Sequence, residues 1–472
     1  MATPGLARTK IVCTLGPSTA TESAIGDLLD AGMNVARINF SHGTQAEHTA
    51  TIARVRSAAD ARGVPVAILG DLQGPRIRIG ELTSPIELTT GDDVTLAPED
   101  TPPPGAIPVT YRALARDVRS GDRILVDDGL IELMVLDTAG DTVHARVVYG
   151  GPLKSHKGMN LPGVHVSAPS ITDKDRADIT FAIDQALDYL ALSFVRRAED
   201  IADLRELIPK RLLVIAKIEK DIALTNIESI MRAADGVMVA RGDLGVELPF
   251  EEVPIAQKRI IRLANRLGKP VITATQMLES MVEHPRPTRA EASDVANAIL
   301  DGTDAVMLSA ETAAGAFPRL AVEAMRRIIC EVECHPLPWR ARDEERKEAG
   351  ATVATEEAIA AATIAANRML GTPLVIVLTK GGFSARIVSS HRPRVPILAL
   401  TDMPQTYRQL ALVWGVVPHL VEHCTTYDQM VALARQAAVE LGLAHTGDRV
   451  LVTAGVPFDV PGTTNLLKVE TV

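Results

Sequence analysis

The chain has 472 residues, 46% of them hydrophobic and 23% charged, which is typical of globular proteins and excludes a largely disordered chain. This length predicts roughly three domains. The net charge of −10 argues against nucleic acid or an anionic membrane as a partner, and no apolar run reaches membrane-spanning length. Because the cysteines are scattered and no apolar leader is present, the sequence predicts a cytoplasmic protein with reduced thiols.

The first part of the chain alternates between short apolar strands and helical patterns. Strands are predicted at residues 9–14, 35–40 and 65–69. From residue 73 to residue 166 the hydrophobic period becomes two and turn signals recur. This stretch is therefore predicted to be a small antiparallel β-barrel inserted into an α/β domain.

Strand–helix alternation then resumes and adds five strands, predicted at residues 189–195, 213–219, 236–241, 270–276 and 304–310. Eight such strands are typical of a TIM (β/α)8 barrel, although strand number alone does not exclude a large open sheet. Polar side chains at the strand ends favour the barrel, because there the ends converge on one site. The polar residues at or just beyond those ends are Asn39, Asp71, Ser193, Lys217, Glu219, Asp243 and Thr275.

A charged, proline-marked connector at residues 336–347 leads into a third region. A helix at 356–370 and strands at 373–379, 395–400, 416–421, 449–453 and 465–471 predict an open, doubly wound α/β sheet. The predicted domains are a discontinuous TIM-barrel domain (residues 1–71 and 168–335), an inserted β-barrel lid (72–167) and a C-terminal α/β domain (336–472).

Glu219 and Asp243 are the strongest candidates for chemistry. They end two strands that are one strand–helix–strand unit apart, and Lys217 shares a strand face with Glu219. Mg²⁺ takes one or two protein carboxylates and leaves its other positions to water and substrate. The pair therefore predicts a divalent-metal site that handles anions. The alternative is a structural cluster in which Lys217 and Arg241 neutralise both carboxylates.

Other rim residues are less specific. Arg37 has the geometry to bind phosphate, and the backbone N–H groups near Gly242 suit a carboxylate, although a tight turn explains the glycine equally well. Thr275 alone does not indicate a function, and its interpretation depends on the residues around it. A monovalent cation at this rim would be bound by oxygens of Asn39, Ser41, Asp71 and a main-chain carbonyl.

A loop in the third domain joins a strand to a helix through hydroxyls and glycines, which predicts a phosphate cradle. It is not a Walker A sequence, and a plain strand–helix turn is the alternative. Its candidate residues are Thr379, Lys380, Gly381, Gly382 and Ser384, and a second polar loop at 455–465 would close over them.

Long motifs throughout the chain resemble those of the pyruvate kinase family. They are residues 9–18 (TKIVCTLGPS), 33–43 (MNVARINFSHG), 157–162 (KGMNLP), 216–219 (AKIE), 238–245 (MVARGDLG), 274–281 (ATQMLESM) and 287–291 (PTRAE). The resemblance covers nearly the whole chain and implies the three domains predicted above, in the same order.

The resemblance also implies a reaction, the last step of glycolysis, in which phosphoenolpyruvate and ADP give pyruvate and ATP. It implies Mg²⁺, with Mn²⁺ as the alternative, on Glu219 and Asp243, and a phosphoryl group clamped by Lys217 and Arg37. The N–H groups of Gly242 and Asp243 would hold the substrate carboxylate. Thr275 would belong to the step that protonates the enolate, with Ser193 supporting the site.

For the nucleotide, the resemblance implies a site beneath a closing lid. The residues so implied are Asn39, Phe40, Ser41, His42, Arg78 and Lys157. It further implies a homotetramer that a phosphorylated metabolite activates through the C-terminal cradle.

One position departs from the family pattern. The family often has Gly-Pro-Glu after the third strand and needs K⁺, whereas this chain has Arg76 at the third position. A guanidinium there replaces the cation, which predicts weak or absent K⁺ dependence. The ligands that would remain for K⁺ are Asn39, Ser41, Asp71 and the carbonyl of Leu72.

Two other functions stay open at this point. A different TIM-barrel enzyme that stabilises enolates on Mg²⁺, such as a carbon–carbon lyase, would explain Glu219 and Asp243 but not residues 37–42 or the third domain. A catalytically silent metabolite sensor would explain only the third domain.

Overall fold

The structure, a computed structural model, describes residues 7–335, 353–424, 426–456 and 464–472. It begins with β1 (Lys10–Thr14), α1 (Glu22–Ala31), β2 (Val35–Asn39), α2 (Gln45–Arg62) and β3 (Ala67–Asp71), with a 3-10 helix at Pro17–Thr19. The hydroxyl of Thr44 accepts from the N–H of Glu47 and caps α2, which ends at the left-handed Gly63. Both ends of α2 are thus encoded locally.

The inserted domain follows β3. Its elements are β4 (Ile77–Arg78), β5 (Ile86–Leu88), β6 (Asp93–Pro98), β7 (Ile107–Val109), α3 (Leu114–Asp117), β8 (Arg123–Val126), β9 (Ile131–Ala139), β10 (Thr142–Tyr149), β11 (Gly151–Leu153) and β12 (Gly158–Asn160). Seven strands form one sheet in the order β4-β12-β8-β9-β10-β6-β7, and a bridge between Ile79 and Val109 joins its two edges. The β6–β7 pair is parallel, which departs from the antiparallel pairing predicted.

The chain then completes the main barrel. Its elements are α4 (Asp173–Asp184), β13 (Tyr189–Leu192), α5 (Ala198–Leu207), β14 (Leu213–Ile218), α6 (Asp221–Thr225), α7 (Ile227–Ala233), β15 (Gly236–Ala240), α8 (Arg241–Glu247), α9 (Val253–Arg266), β16 (Val271–Ala274), α10 (Arg289–Asp301), β17 (Ala305–Leu308), α11 (Ala310–Ala313) and α12 (Pro318–Cys334), with a 3-10 helix at Glu279–Val282.

Eight parallel strands close into a barrel in the order β1-β2-β3-β13-β14-β15-β16-β17, which confirms the predicted TIM barrel. Several strands are shorter than predicted because residues such as Ser193 and Thr275 already belong to the rim loops. Helix α8 begins at Arg241, directly after β15. Gly242 and Asp243 therefore lie in its first turn.

The C-terminal domain covers the opposite, N-terminal end of the barrel. Its elements are α13 (Thr355–Leu370), β18 (Val375–Leu378), α14 (Phe383–Ser390), β19 (Ile397–Thr401), α15 (Pro404–Gln409), β20 (Val416–Leu420), α16 (Tyr427–Glu440), β21 (Arg449–Ala454) and β22 (Leu466–Thr471). The sheet order is β20-β19-β18-β21-β22, parallel except for β22. A 3-10 helix at Leu410–Leu412 inserts Leu412 into the barrel core beside Tyr189, whose hydroxyl donates to the carbonyl of Gln409.

The predicted connector at residues 336–347 lies outside the described residues, as does most of the loop at 455–465. No helix within the described ranges is both long and apolar enough to cross a membrane.

Candidate active site

A chain of buried charges crosses the C-terminal rim of the barrel. The Oδ2 of Asp71 accepts from the Nε of Arg37 at 2.7 Å, and its Oδ1 lies 3.3 Å from the Nζ of Lys217. Arg37 also donates to the hydroxyl of Thr14 at 2.9 Å, because parallel pairing places Thr14 beside Arg37. Asp71, at the end of β3, thus holds one cation from β2 and one from β14.

Glu219 continues this chain on the other side of Lys217. Its Oε1 lies 2.7 Å from the Nζ of Lys217, and its Oε2 accepts from the backbone N–H of Phe194 at 2.7 Å. Lys217 also donates to the hydroxyl of Ser193 at 2.7 Å, which in turn donates to the carbonyl of Leu72. Phe194 has a φ of +55°, which is uncommon for a bulky side chain and marks local strain.

The charge states of these groups follow from their partners. Burial alone would lower the pKa of Lys217, but Asp71 and Glu219 outweigh it and raise that pKa above its usual value. Burial would raise the pKa of Asp71, but Lys217 and Arg37 hold it below its usual range. Burial raises the pKa of Glu219 and the nearby Asp243 adds to the rise, while Lys217 acts against both. A cation near Glu219 would therefore be favourable.

Asp243, unlike the buried Glu219, is partly exposed. It lies in the first turn of α8, lines the cleft beneath the lid, and has no ion pair or side-chain hydrogen bond within the described part of the chain. Arg241, which the structural alternative paired with it, instead binds Asp294 at 2.7 Å. The ion pair between Lys217 and Glu219 is therefore present, whereas the one expected between Arg241 and Asp243 is not found within the described part of the chain.

The loop after β16 lies against the start of α8. The hydroxyl of Thr275 accepts from the N–H of Gly242 at 2.7 Å, so this N–H already has a partner. Thr275 and Gln276 have φ values of +67° and +54°, and the guanidinium of Arg241 donates to the carbonyls of both. Arg241 therefore keeps a strained loop in place next to Asp243.

These donors fit a divalent cation. Two carboxylates stand at neighbouring strand ends, one of them open to the cleft and the other with a raised pKa. Oxygen ligands of this kind suit Mg²⁺ or Mn²⁺. Glu219 and Asp243 are the residues that would hold the ion.

A cavity of about 290 Å³ lies between the rim and the inserted domain. The lid contributes Arg78 and Lys157, and Lys157 binds Asp127 at 2.8 Å. Arg76, at the crossing into the lid, is exposed and also lines this cavity. Arg76, Arg78 and Lys157 suit a polyphosphate, and Asp127 and Asp128 of the lid also line the cavity.

Residues 39–42 do not line this cavity. The side chain of Phe40 is buried against His48 and Phe181, with ring centroids 5.4 and 5.9 Å away, so it packs in the core. The Oδ1 of Asn39 accepts from the N–H of Ser41 at 3.1 Å, whereas His42 is exposed. Among the oxygens predicted for K⁺, Asp71 and the carbonyl of Leu72 already bind protein donors.

One interdomain contact was missed in the sequence. Glu247, at the end of α8, accepts from the Nδ2 of Asn160 in the lid at 3.0 Å and also binds Lys220. Thr14 was missed too, although it ends β1 just as Asn39 ends β2. Thr14 could have been predicted in the same way as Asn39, as a polar residue at a strand end. No local signal in the sequence reveals the pairing of Asn160 with Glu247.

The residues predicted for the phosphate cradle lie at the start of α14 and in the loop before it. The hydroxyl of Thr379 accepts from the N–H of Gly382 at 3.0 Å, and the hydroxyls of Ser384 and Thr464 are 2.6 Å apart. Lys380 binds Asp402 at 2.9 Å, so its ammonium is directed to the next strand end. Gly381 is adjacent in the loop.

The fold and the site define a class of protein. A closed (β/α)8 barrel carries two cations and three carboxylates on its C-terminal rim, next to a cavity to which the lid contributes Arg78 and Lys157. This arrangement suits an enzyme that acts on phosphorylated anions.

Comparisons with known proteins identify the family. Residues 6–322 match the model of the pyruvate kinase barrel domain, and residues 357–470 match that of the pyruvate kinase alpha/beta domain. The chain is 48% identical over 473 residues to pyruvate kinase of Geobacillus stearothermophilus, an alignment covering 98% of this chain and 80% of that protein. It is 47% identical over 474 residues to pyruvate kinase 2 of a Synechocystis species, covering 98% and 79%.

A solved structure agrees with these relatives. The crystal structure of a pyruvate kinase from Cryptosporidium parvum superposes with a TM-score of 0.93 at 38% identity, covering 98% of this chain and 96% of that one. The chain belongs to the pyruvate kinase family.

Proposed function

We propose that the chain transfers the phosphoryl group of phosphoenolpyruvate to ADP, giving pyruvate and ATP, with Mg²⁺ or Mn²⁺ on Glu219 and Asp243. The observation that carries this proposal is the placement of Arg37 and Lys217 on either side of Asp71, 3.3 Å from the Lys217 ammonium, next to the two candidate metal ligands. Two fixed cations at one rim suit a phosphoryl group whose charge spreads over three oxygens during transfer.

Each residue then has a physical task. Lys217 and Arg37 neutralise the phosphoryl oxygens, and Asp71 and Ser193 hold Lys217 in place. The N–H groups of Gly242 and Asp243, in the first turn of α8, would receive the substrate carboxylate, with Thr275 turning from Gly242 towards the enolate. When bound, the divalent ion supplies positive charge to the phosphoryl and enolate oxygens.

Transfer to ADP needs a second set of groups. Arg78 and Lys157 would meet the nucleotide, and the inserted domain would close over it to exclude water. The bond from phosphorus to the enol oxygen breaks as a bond to the ADP oxygen forms. The enolate left behind takes a proton at carbon, near Thr275, to give pyruvate.

The proposal extends to regulation and assembly. The cradle of Thr379, Lys380, Gly382 and Ser384 would receive a phosphorylated activator in a cytoplasmic homotetramer, on the likeness to pyruvate kinases. K⁺ would be of little importance because Arg76 stands at the lid crossing.

The test is an assay coupled to lactate dehydrogenase with Mg²⁺ present. NADH consumption should require both phosphoenolpyruvate and ADP, and omission of either substrate should stop it. Pyruvate formation without ADP would favour a different enolate-forming enzyme. No turnover under any of these conditions would favour a metabolite sensor.

A further inference from the structure

We propose that Arg196 is a positioning residue that couples the lid to the active site, by binding the chain segment that returns from the lid. This inference rests on the proposed function and assigns a task to a side chain that borders the cavity beneath the lid but is not among the proposed substrate groups or metal ligands.

The chain passes between the barrel and the lid twice, once outgoing and once returning. Both of these crossings contact the same loop, residues 193–197. The outgoing crossing passes Gly74, which has a φ of +68° and whose N–H donates to Asp175 at 3.1 Å. A Cβ on Gly74 would lie 2.8 Å from the Cδ2 of Phe194 and 3.2 Å from the Cβ of Ser193. The outgoing crossing is therefore in direct contact with this loop.

The returning crossing is bound by Arg196. Its guanidinium donates to the carbonyl of Val166 and, at 2.9 Å, to the carbonyl of Ala168. Between these carbonyls, the N–H and hydroxyl of Ser167 donate to Asp117 of the lid at 2.8 and 3.0 Å. One short segment is therefore bound from the barrel side by Arg196 and from the lid side by Asp117.

Arg196 is itself fixed. Its N–H donates to Asp200 at 2.8 Å, its carbonyl accepts from Asn226 at 2.9 Å, and its side chain is only 16% exposed. A cavity of about 470 Å³, lined by His165 and Ser167 among others, lies against the returning segment. Arg196 lines this cavity as well, so the returning segment is held by a fixed side chain next to open space.

The same loop reaches the reacting groups. The N–H of Phe194 binds Glu219 at 2.7 Å, and the hydroxyl of Ser193 accepts from Lys217 at 2.7 Å. Movement of the lid about Arg196 therefore acts on the loop that holds a candidate metal ligand and a phosphoryl-binding cation. Loss of the hydrogen bonds made by Arg196 should mainly weaken nucleotide binding, because Arg78 and Lys157 belong to the lid.

Arg197 provides a matched control, since it is the next residue and carries the same side chain. It is 60% exposed, and its ion pairs to Glu199 and Asp200 are long, at 3.9 and 3.8 Å. It makes no hydrogen bond to the returning segment within the described ranges.

The experiment compares Arg196→Gln, Arg196→Lys and Arg197→Gln with the unchanged enzyme in steady-state assays. We expect Arg196→Gln to raise the KM for ADP roughly 10-fold or more, as the loss of charge-assisted hydrogen bonds implies, with less than about a threefold change in the KM for phosphoenolpyruvate. Arg196→Lys should recover part of the loss, because one ammonium does not match two carbonyls as a planar guanidinium does. Arg197→Gln should stay within about twofold of the unchanged enzyme.

Hydrogen exchange supplies a readout that is independent of turnover. Addition of Mg²⁺ and ADP should slow amide exchange in β12 of the unchanged enzyme and of Arg197→Gln, but not of Arg196→Gln. The inference is overturned if Arg196→Gln keeps this protection and its KM for ADP, or if both KM values rise together with a lower melting temperature. Absence of turnover in the unchanged enzyme would instead refute the proposed function, while the exchange comparison would still test the role of Arg196.

Discussion

The Nζ of Lys217 lies 3.3 Å from the Oδ1 of Asp71, whose other oxygen binds Arg37 at 2.7 Å. One carboxylate that is 1% exposed therefore sets the spacing of both cations. Without it, two like charges would share a low-dielectric site, which is unfavourable.

This relationship predicts the effect of Asp71→Asn. We expect kcat/KM for phosphoenolpyruvate to fall by about 10²-fold or more, because misplaced cations lose much of their stabilisation of the transition state. Steady-state kinetics on the folded variant measures it. Asp188→Asn is the matched control, since Asp188 is also buried between two arginines but lies at the opposite end of the barrel. It should lower stability and leave kcat/KM per folded enzyme nearly unchanged, so equal kinetic losses in both variants would contradict the account.

The metal site predicts a loss of ion affinity in Asp243→Asn. Removal of one of two carboxylates should weaken Mn²⁺ binding by about 10-fold or more, measured by electron paramagnetic resonance of free Mn²⁺. Asp128→Asn is the control, because Asp128 lines the same cavity from the lid. Unchanged Mn²⁺ affinity in Asp243→Asn would remove Asp243 from the metal site.

Much of the rim could be predicted because polar residues that end buried strands converge in a closed barrel. The positions of Lys217, Glu219 and Asp243 could be predicted from the strand boundaries alone. The roles of Arg196 and Glu247 could not be predicted, since they depend on partners 30 and 87 residues away that no periodicity brings together. The direction of Lys380 towards Asp402 likewise depends on how two loops pack.

Arg76 predicts how the enzyme responds to monovalent cations. Turnover with Na⁺ and with K⁺ should agree within about twofold, because a guanidinium supplies the positive charge at this position. Arg76→Glu should create a need for K⁺. A strong gain in the activity of the unchanged enzyme when K⁺ replaces Na⁺ would refute this interpretation.

The C-terminal cradle predicts where activation originates. The double variant Ser384→Ala, Lys380→Ala should lose activation by sugar phosphates or AMP while its maximal turnover stays near normal, because the cradle lies in the C-terminal domain rather than at the rim. Rates measured across a panel of these effectors test it. Ser389→Ala, on the same helix but bound to the carbonyl of Trp414, should remain activated. Full activation of the double variant would move the effector site elsewhere.

Lys10 predicts a pH dependence of stability. Burial lowers its pKa to about 8, against the opposing charge of Glu333, while its ammonium donates to the carbonyl of Val416 at 2.8 Å. Between about pH 8 and pH 10.5 the unfolded state binds more protons than the folded state, so stability should rise with pH in this window. The whole rise is about 3 kcal/mol.

Chemical unfolding at pH 7.5 and pH 10 measures this contribution. Lys10→Met should lose the rise, whereas Lys154→Met, at an exposed position of the lid, should keep it. A rise of equal size in Lys10→Met would assign the effect to other groups.

The most direct test of the central claim is phosphorus NMR of the reaction with phosphoenolpyruvate, ADP and Mg²⁺. The phosphoenolpyruvate signal should decline as the γ-phosphate of ATP appears in equal amount, and Lys217→Met should abolish both changes. Release of inorganic phosphate without ATP, or unchanged transfer in Lys217→Met, would contradict the account.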